Sequence, residues 1–319
     1  MTAVSGAAAG APSRFPFPLP DGWFQVAYGD ELAPGELRGL HYFDRELLLY
    51  RGESGRAHLL DAHCPHLGAH LGVGGRVVGD RIRCPFHAWE FEGSGACARV
   101  PYAKKVPPKA RLRAWPLVER NGILYAHFDK QGRPPTWEPP AVPEYESEDW
   151  TDYWRRDWVV ASCAQEMAEN SVDPAHFKYV HRTADLPAAR ARSEGHVFHV
   201  DMGYPIQMGG ELQQGRIEID CYGFGLGVSR FRGIVDTTVV VSGTPVDGDH
   251  LHHRLAFLVR KLDSPEATRG LGQAFVDEIS RQFDEDRPIW ERKVHWERPA
   301  LCDGDGPIGA LRRWGRQFY

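Results

Sequence analysis

The chain has 319 residues, of which 42% are hydrophobic and 25% are charged, and its formal net charge is −5. This composition is ordinary for a globular protein, and the length predicts one large or two ordinary domains. The negative net charge gives no indication that the protein binds nucleic acid or an anionic membrane surface. No apolar run approaches the length that spans a bilayer, so we expect no transmembrane segment.

The first 20 residues are rich in Ala, Gly and Pro. They lack the basic start and apolar run of a secretory signal, so we expect residues 1–20 to form a mobile tail. Without an export signal the default location is the reducing cytoplasm, where the six cysteines would not form a disulfide framework. Some of them are therefore candidates for metal binding.

The next segment, residues 21–130, reads as a small all-β domain because short strand-like runs alternate with turn residues. These runs are Trp23–Tyr28, Leu47–Tyr50, His58–Asp61, Arg76–Arg81 and Ile123–Phe128. Residues 131–143 contain five prolines and therefore predict a linker, since proline interrupts both helices and central strands.

Residues 144–319 differ in pattern and predict a second domain. Residues 164–180 have helical character with an interruption at Pro174, and four strand-like runs then predict an antiparallel sheet. A final helix is indicated by apolar residues at intervals of four. The strand runs are Ile217–Tyr222, Leu226–Phe231, Val235–Val241 and Leu251–Arg260, and the helical stripe is Leu271, Phe275, Ile279 and Phe283.

Two Cys–His pairs form the first candidate site. Cys64 and His66 are separated by one residue, and Cys84 and His87 by two. Structural zinc sites usually pair Cys with Cys and His with His, so one Cys and one His from each loop argues against zinc. A Rieske cluster needs this arrangement, with two Cys on one iron and two His on the other.

A second candidate site follows from the spacing of Asn170, Asp173, His176 and His181. Residues three apart share a helix face, and Pro174 predicts a bend that allows His181 to return to that face. Two imidazoles and one carboxylate on one face of an iron leave positions open for O₂, as in non-haem Fe(II) oxygenases.

The sequence offers several carboxylates for this second site. Asp173 is close in sequence, while Asp284, Glu285 and Asp286 follow Phe283 in the late helix. Spacing alone favours Asp286, because it lies three residues after the apolar Phe283 and shares its inward face.

These two motifs, in this order, resemble the Rieske non-haem iron oxygenase family. The resemblance implies an α+β protein, in which an all-β Rieske domain precedes a helix-grip catalytic domain with an antiparallel sheet. It implies a [2Fe–2S] cluster on Cys64, His66, Cys84 and His87. It also implies a mononuclear Fe(II) on three further residues, His176, His181 and Asp286.

Other roles are also implied by the resemblance. Asp173 would bridge a Rieske histidine of one subunit to an iron-ligating histidine of the next, which implies a homotrimer. Asn170 would support the iron as a hydrogen-bond donor or distant ligand. Electrons would come from NAD(P)H through a separate ferredoxin or flavin reductase, and O₂ would be the co-substrate.

Further stretches are similar to oxygenases that act on steroids, namely the 3-ketosteroid 9α-hydroxylase oxygenase component and the cholesterol 7-desaturase subgroup. They include residues 61–71, Pro101-Tyr102-Ala103 and Ile289-Trp290. The expected function is hydroxylation or desaturation of a small, hydrophobic, steroid-like substrate.

Three alternatives remain open from the sequence. The substrate could be an aromatic or alkaloid-like natural product, or the chain could be a Rieske electron carrier without oxygenase activity. A zinc-binding interaction module is the third. The chain contains no Gly-x-Gly-x-x-Gly fingerprint after a strand, so any reductase must be a separate protein.

Overall fold

The computed structural model describes residues 14–183, 188–208, 211–233 and 235–319. It has an N-terminal lobe of three small antiparallel sheets and a C-terminal lobe built on one seven-stranded antiparallel sheet. This architecture confirms the predicted α+β class. None of the described helices is long and apolar enough to cross a membrane.

The N-terminal segment differs from the predicted tail. Residues 1–13 lie outside the described residues, but from Arg14 onward the chain packs against the C-terminal lobe. Phe15 is buried, Arg14 donates to the main-chain oxygen of Glu291 at 2.5 Å, and Phe17 meets the ring of His295 edge-on. The prediction was wrong for this part, because the aromatic residues anchor it.

Eleven strands form the N-terminal lobe. They are β1 (Gly22–Tyr28), β2 (Leu37–Tyr42), β3 (Arg45–Arg51), β4 (Ala57–Asp61), β5 (Arg76–Val78), β6 (Arg81–Arg83), β7 (Glu90–Glu92), β8 (Cys97–Arg99), β9 (Ala114–Trp115), β10 (Leu117–Arg120) and β11 (Ile123–Phe128). The sheet orders are β1-β11-β10, β2-β3-β4-β9 and β5-β6-β7-β8. The two Cys–His loops follow β4 and β6.

One predicted strand is in fact a hairpin. The run Arg76–Arg81 turns back at Gly79 and Asp80, so that β5 pairs with β6. Gly79 has a φ of 60°, a backbone conformation that glycine adopts without a steric cost. The turn was missed because the apolar residues on either side read as one continuous run.

In the residues that the structure describes, the C-terminal lobe contains seven strands and five helices. The strands are β12 (Trp154–Val160), β13 (Ala188–Glu194), β14 (Val197–Met208), β15 (Glu211–Tyr222), β16 (Leu226–Arg232), β17 (Thr237–Pro245) and β18 (Leu251–Val259), and the helices are α1 (Pro143–Glu146), α2 (Ala164–Asn170), α3 (Ala175–Tyr179), α4 (Pro265–Trp290) and α5 (Ile308–Gly315). The sheet order is β12-β18-β17-β16-β15-β14-β13. The sequence analysis identified four of these strands and missed β12, β13 and β14.

The two faces of the large sheet have different neighbours, as the two-residue period of a strand requires. One face packs on the N-terminal lobe, where Val228 and Leu258 join a core with Trp23 and Tyr125. The other face carries the cavity described below and is covered by α4. The two lobes therefore share a hydrophobic core.

Helix α4 confirms the predicted final helix and begins at a cap, because the side chain of Ser264 accepts from the main-chain nitrogen of Ala267 at 3.0 Å. The predicted stripe is only partly correct, since Leu271 is exposed whereas Phe283 is buried. Because a helix has 3.6 residues per turn, residues at intervals of four lie progressively farther around its axis. Leu271 and Phe283 therefore lie on different faces.

Candidate metal centres

The two Cys–His loops have the same main-chain turn. In the first loop, the carbonyl of Cys64 accepts from Gly68 and the nitrogen of Cys64 donates to Ala69. In the second, the carbonyl of Cys84 accepts from the next residue after His87, and its nitrogen donates to Trp89. Each loop thus turns tightly enough to aim its cysteine and histidine in one direction.

The four side chains meet between the loops. Cys64 and Cys84 are both buried, and the rings of His66 and His87 have centroids 4.7 Å apart. Burial, together with the neighbouring Cys84, raises the pKa of the Cys64 thiol to about 11. Nδ1 of His87 is buried without a hydrogen-bond partner among the described residues. Two buried thiols beside an unpartnered imidazole nitrogen fit the donor set of a [2Fe–2S] cluster.

Aromatic residues surround this donor set. Trp89 stacks on His66 with ring centroids 4.5 Å apart, and its Nε1 donates to the hydroxyl of Tyr102 at 2.8 Å. Leu67 and Phe86, in contrast, are 65% and 60% exposed. The tip of the two loops therefore presents an apolar rim at the surface.

The second site brings together residues that are distant in sequence. Nε2 of His181 lies 3.3 Å from Oδ2 of Asp286, and Nε2 of His176 lies 4.0 Å from the same oxygen. One donor atom from each of these three side chains lies within 4.8 Å of the other two, and His181 and Asp286 are buried. The break at Pro174 between α2 and α3 allows both histidines to face α4.

Each histidine of this site is held through its other nitrogen. Nδ1 of His176 lies 2.5 Å from the main-chain oxygen of Asp173, and Nδ1 of His181 lies 3.1 Å from Oε2 of Glu285. These acceptors hold Nδ1 of each ring, so that both Nε2 atoms point toward Asp286. Such outer contacts are typical of metal-ligating histidines.

The pKa values of the two histidines move in opposite directions. Burial lowers the pKa of His176, although Asp286 opposes the shift. Burial also acts against protonation of His181, but its hydrogen bonds to Asp286 and Glu285 raise its pKa overall.

Asn170 borders the three converging donors. Its Nδ2 lies 3.3 Å from Nε2 of His176 and donates to Oδ2 of Asp286 at 3.4 Å. The carboxylate of Asp173 is not one of these converging donors. Its Oδ1 accepts a hydrogen bond from the main-chain nitrogen of Ala175 at 3.0 Å.

The neighbouring acids of α4 have different contacts. Asp284 accepts from Nε1 of Trp158 at 3.1 Å, and Glu285 contacts His181 from the side opposite Asp286. Of the carboxylates that the sequence left open, the structure brings only Asp286 to both histidines.

An apolar cavity of about 230 Å³ opens beside His176, His181 and Asp286. Phe224 and Phe231 line the cavity, whereas Tyr222 and Val239 pack in hydrophobic cores. Its apolar walls include Met167, Met202, Ile217, Phe224, Phe231 and Trp290.

A buried charged cluster lies behind this site and was not predicted. Glu166 contacts Lys293 and His295, each at 2.6 Å, and both oxygens of Glu169 accept from Arg312 at 2.8 Å. These contacts tie α2 to the chain that follows α4. No local spacing indicates them, because the partners are more than 120 residues apart.

Comparison with known proteins identifies the relationship. Residues 22–116 match the family described as Rieske [2Fe-2S] domain, and residues 126–319 match the family described as 3-Ketosteroid 9alpha-hydroxylase C-terminal domain. The chain belongs to the Rieske oxygenase family. Like other Rieske oxygenases, it is therefore an oxidoreductase with a cluster domain and a catalytic domain.

Rieske oxygenases that act on steroids are among its relatives. A "3-ketosteroid-9-alpha-monooxygenase, oxygenase component" of Rhodococcus rhodochrous is 32% identical over 331 residues, which cover 98% of this chain and 83% of the relative. The "Cholesterol 7-desaturase nvd 1" of Ciona intestinalis is 29% identical and matches 94% of this chain and 69% of the relative.

Solved Rieske oxygenase structures share the fold. NdmB of Pseudomonas putida CBB5 has a TM-score of 0.77 at 18% identity, and the match covers 92% of this chain and 89% of that one. Dicamba monooxygenase has a TM-score of 0.74 at 19% identity, and the match covers 94% of this chain and 97% of that one.

Proposed function

We propose that this Rieske oxygenase hydroxylates or desaturates a hydrophobic, steroid-like substrate in the cavity beside His176, His181 and Asp286. The observation that carries this proposal is the convergence of two Nε2 atoms and one carboxylate at the wall of an apolar pocket. The substrates in the names of the relatives, 3-ketosteroids and cholesterol, are of the same apolar class.

Seven residues would hold the two metal centres in this proposal. Cys64 and Cys84 would bind one iron of the cluster, and His66 and His87 the other, with the mononuclear iron on the three converging donors. When bound, these groups would supply single-electron transfer and the activation of O₂.

The remaining polar residues would orient these ligands. The amide of Asn170 donates to Asp286 and so keeps that carboxylate turned toward the two histidines. The main-chain oxygen of Asp173 and the carboxylate of Glu285 fix the tautomers of His176 and His181. Apolar walls would exclude water from the substrate.

We further propose a homotrimer in which each cluster serves the iron of the next subunit. The loop tip carries the exposed Leu67 and Phe86, while Tyr179 and Trp296 are 77% and 69% exposed in the segments that flank the iron site. Exposed apolar residues of this kind often mark interfaces, and a head-to-tail contact between two different patches closes into a ring. Asp173 would then bridge His87 of one subunit and His176 or His181 of the next.

A separate reductase would deliver the electrons from NAD(P)H, as the oxygenase components among the relatives imply. We place the enzyme in the cytoplasm, where the six unpaired cysteines would stay reduced.

A single-turnover experiment tests the function without the reductase. The metal-loaded protein is reduced, freed of reductant and mixed with a 3-ketosteroid and O₂, and the products are identified by mass spectrometry. The proposal expects a hydroxylated or desaturated steroid from the wild type and none from His176→Ala. Oxidation of the cluster without any change in the steroid would overturn the substrate assignment.

A further inference from the structure

One imidazole that lines the apolar cavity has a nitrogen without a hydrogen-bond partner in the described part of the chain. His253 lies on β18, lines the cavity and is only 8% exposed. Its Nδ1 is buried and has no partner among the described residues. An unsatisfied buried polar group is destabilising, so its presence in a binding pocket points to a ligand that completes it.

The orientation of this ring is fixed by its neighbours. His253 stacks on Phe283 with ring centroids 5.0 Å apart, and Phe283 is itself held between Trp158 and Trp290. The side chain of the adjacent Arg254 points to the other face of the sheet. It donates a hydrogen bond to the main-chain oxygen of Gln25 in the N-terminal lobe. His253 therefore faces the cavity as part of a rigid aromatic stack.

There is open space next to the imidazole. Gly243 is paired with His253 across β17 and β18, and both residues line the cavity. A Cβ atom at position 243 would have only one neighbour within 4 Å, Nδ1 of His253, at 3.7 Å. The glycine thus leaves a notch that is bounded by one polar atom.

The ring can both donate and accept a hydrogen bond. Burial, with His252 and Arg254 nearby, lowers the pKa of His253 to about 3. A neutral imidazole carries one N–H donor and one lone pair. It can therefore donate to a ketone, and it can donate to or accept from a hydroxyl group.

We propose that His253 is a specificity-determining residue that hydrogen-bonds an oxygen atom of the substrate, a ketone or a hydroxyl, seated in the notch beside Gly243. The inference rests on the proposed function, because it takes this cavity as the substrate site. A single polar contact at one end of an apolar scaffold selects which carbon faces His176, His181 and Asp286. A pocket built around such a contact discriminates against analogues that lack the oxygen.

Binding measurements on the metal-loaded full chain test this proposal. The probes are a 3,17-diketosteroid and its two analogues in which one ketone is replaced by a methylene, with affinities from calorimetry. The wild type is expected to bind one analogue about 3- to 10-fold more weakly than the diketone, which corresponds to one net hydrogen bond. His253→Phe, which keeps the stack on Phe283, should remove this preference, and His253→Gln should retain part of it.

Two further variants separate the notch from general effects on the pocket. Gly243→Ala should weaken diketone binding, because the added methyl group occupies the notch. Ser242→Ala is the matched control, since Ser242 precedes Gly243 on β17 but is not among the cavity-lining residues, and its loss should leave the preference intact. An unchanged preference in His253→Phe, or no preference in the wild type, would overturn the inference.

A second probe pair distinguishes failure of the inference from failure of the proposed substrate. If the wild type binds none of the steroids, the steroid assignment is wrong, and naphthalene and 2-naphthol replace them. Tighter binding of 2-naphthol that is lost in His253→Phe supports the inference. Equal binding of the two probes, or no binding of either, contradicts it.

Discussion

Oε2 of Glu285 lies 3.1 Å from Nδ1 of His181, while Oδ2 of the next residue, Asp286, lies 3.3 Å from Nε2 of the same ring. One imidazole is thus flanked by two consecutive carboxylates of α4. Glu285 also pairs with Arg281 one turn earlier, so its position is fixed from the side away from the ring. Asp286 is placed to share a metal with His181, and Glu285 is placed to orient the ligand.

Glu285→Ala should weaken binding of the mononuclear iron about 10- to 100-fold, since His181 loses the acceptor that fixes its tautomer. Glu285→Gln should have a smaller effect, because the amide oxygen can still accept. Iron content after dialysis against a graded series of chelator concentrations measures the change. Asp277→Ala, an exposed acid on the same helix, is the control. Equal retention in Glu285→Ala and the wild type would contradict the assigned role.

Arg312→Ala should destabilise the protein by about 3–5 kcal/mol, because it leaves the buried carboxylate of Glu169 without its cation. The double variant Glu169→Met and Arg312→Met should lose less folding stability, since neither charge of this pair remains. Thermal unfolding followed by circular dichroism measures both. Arg313→Ala removes an exposed arginine of α5 and should be near neutral. A similarly small loss in Arg312→Ala would show that this pair does not hold α2 in place.

The stability of the protein should fall as the pH decreases below 6.5. The pKa of His253 is lowered in the folded state to about 3 from an ordinary value of 6.5, so the unfolded chain takes up the proton first. The loss of folding stability therefore begins near pH 6.5 and grows as the pH falls toward 3. It amounts to about 2 kcal/mol between pH 6.5 and 5.

Melting temperatures at pH 7.5 and 5.0 measure this effect. His253→Phe should lose less stability than the wild type on acidification. Identical pH dependence in the two proteins would be the contrary result.

Asp173→Ala should leave cluster and iron contents unchanged and lower the yield of the single-turnover reaction about 10- to 100-fold, if Asp173 links the two centres across subunits. Sedimentation equilibrium reports whether the trimer persists. The exposed Asp152→Ala is the control. Full product yield from a trimeric Asp173→Ala protein would remove the bridging role.

The sequence predicted those parts of the molecule that depend on local spacing. The two Cys–His loops and the break at Pro174 both follow from residues within a few positions of one another. The hairpin at Gly79 and the exposure of Leu271 were missed because a run of apolar residues does not reveal where it turns or which helix face stays inward.

Contacts between segments that are distant in sequence could not be predicted from local patterns. Glu285 reaches His181 over 104 residues, and Arg312 reaches Glu169 over 143. His253 lies in a strand run that reads as ordinary sheet, and only the pairing with Gly243 places it beside open space. Such relationships depend on sheet register and helix packing, which no single segment encodes.

Metal analysis combined with electron paramagnetic resonance decides whether one chain holds both metal centres. Anaerobically purified protein should contain about three irons and two sulfides per chain and give a Rieske spectrum after reduction. His176→Ala and Asp286→Ala should each lose only the mononuclear iron. A colourless zinc protein, or a Rieske spectrum with two irons that does not change when Fe(II) is added, would contradict the account.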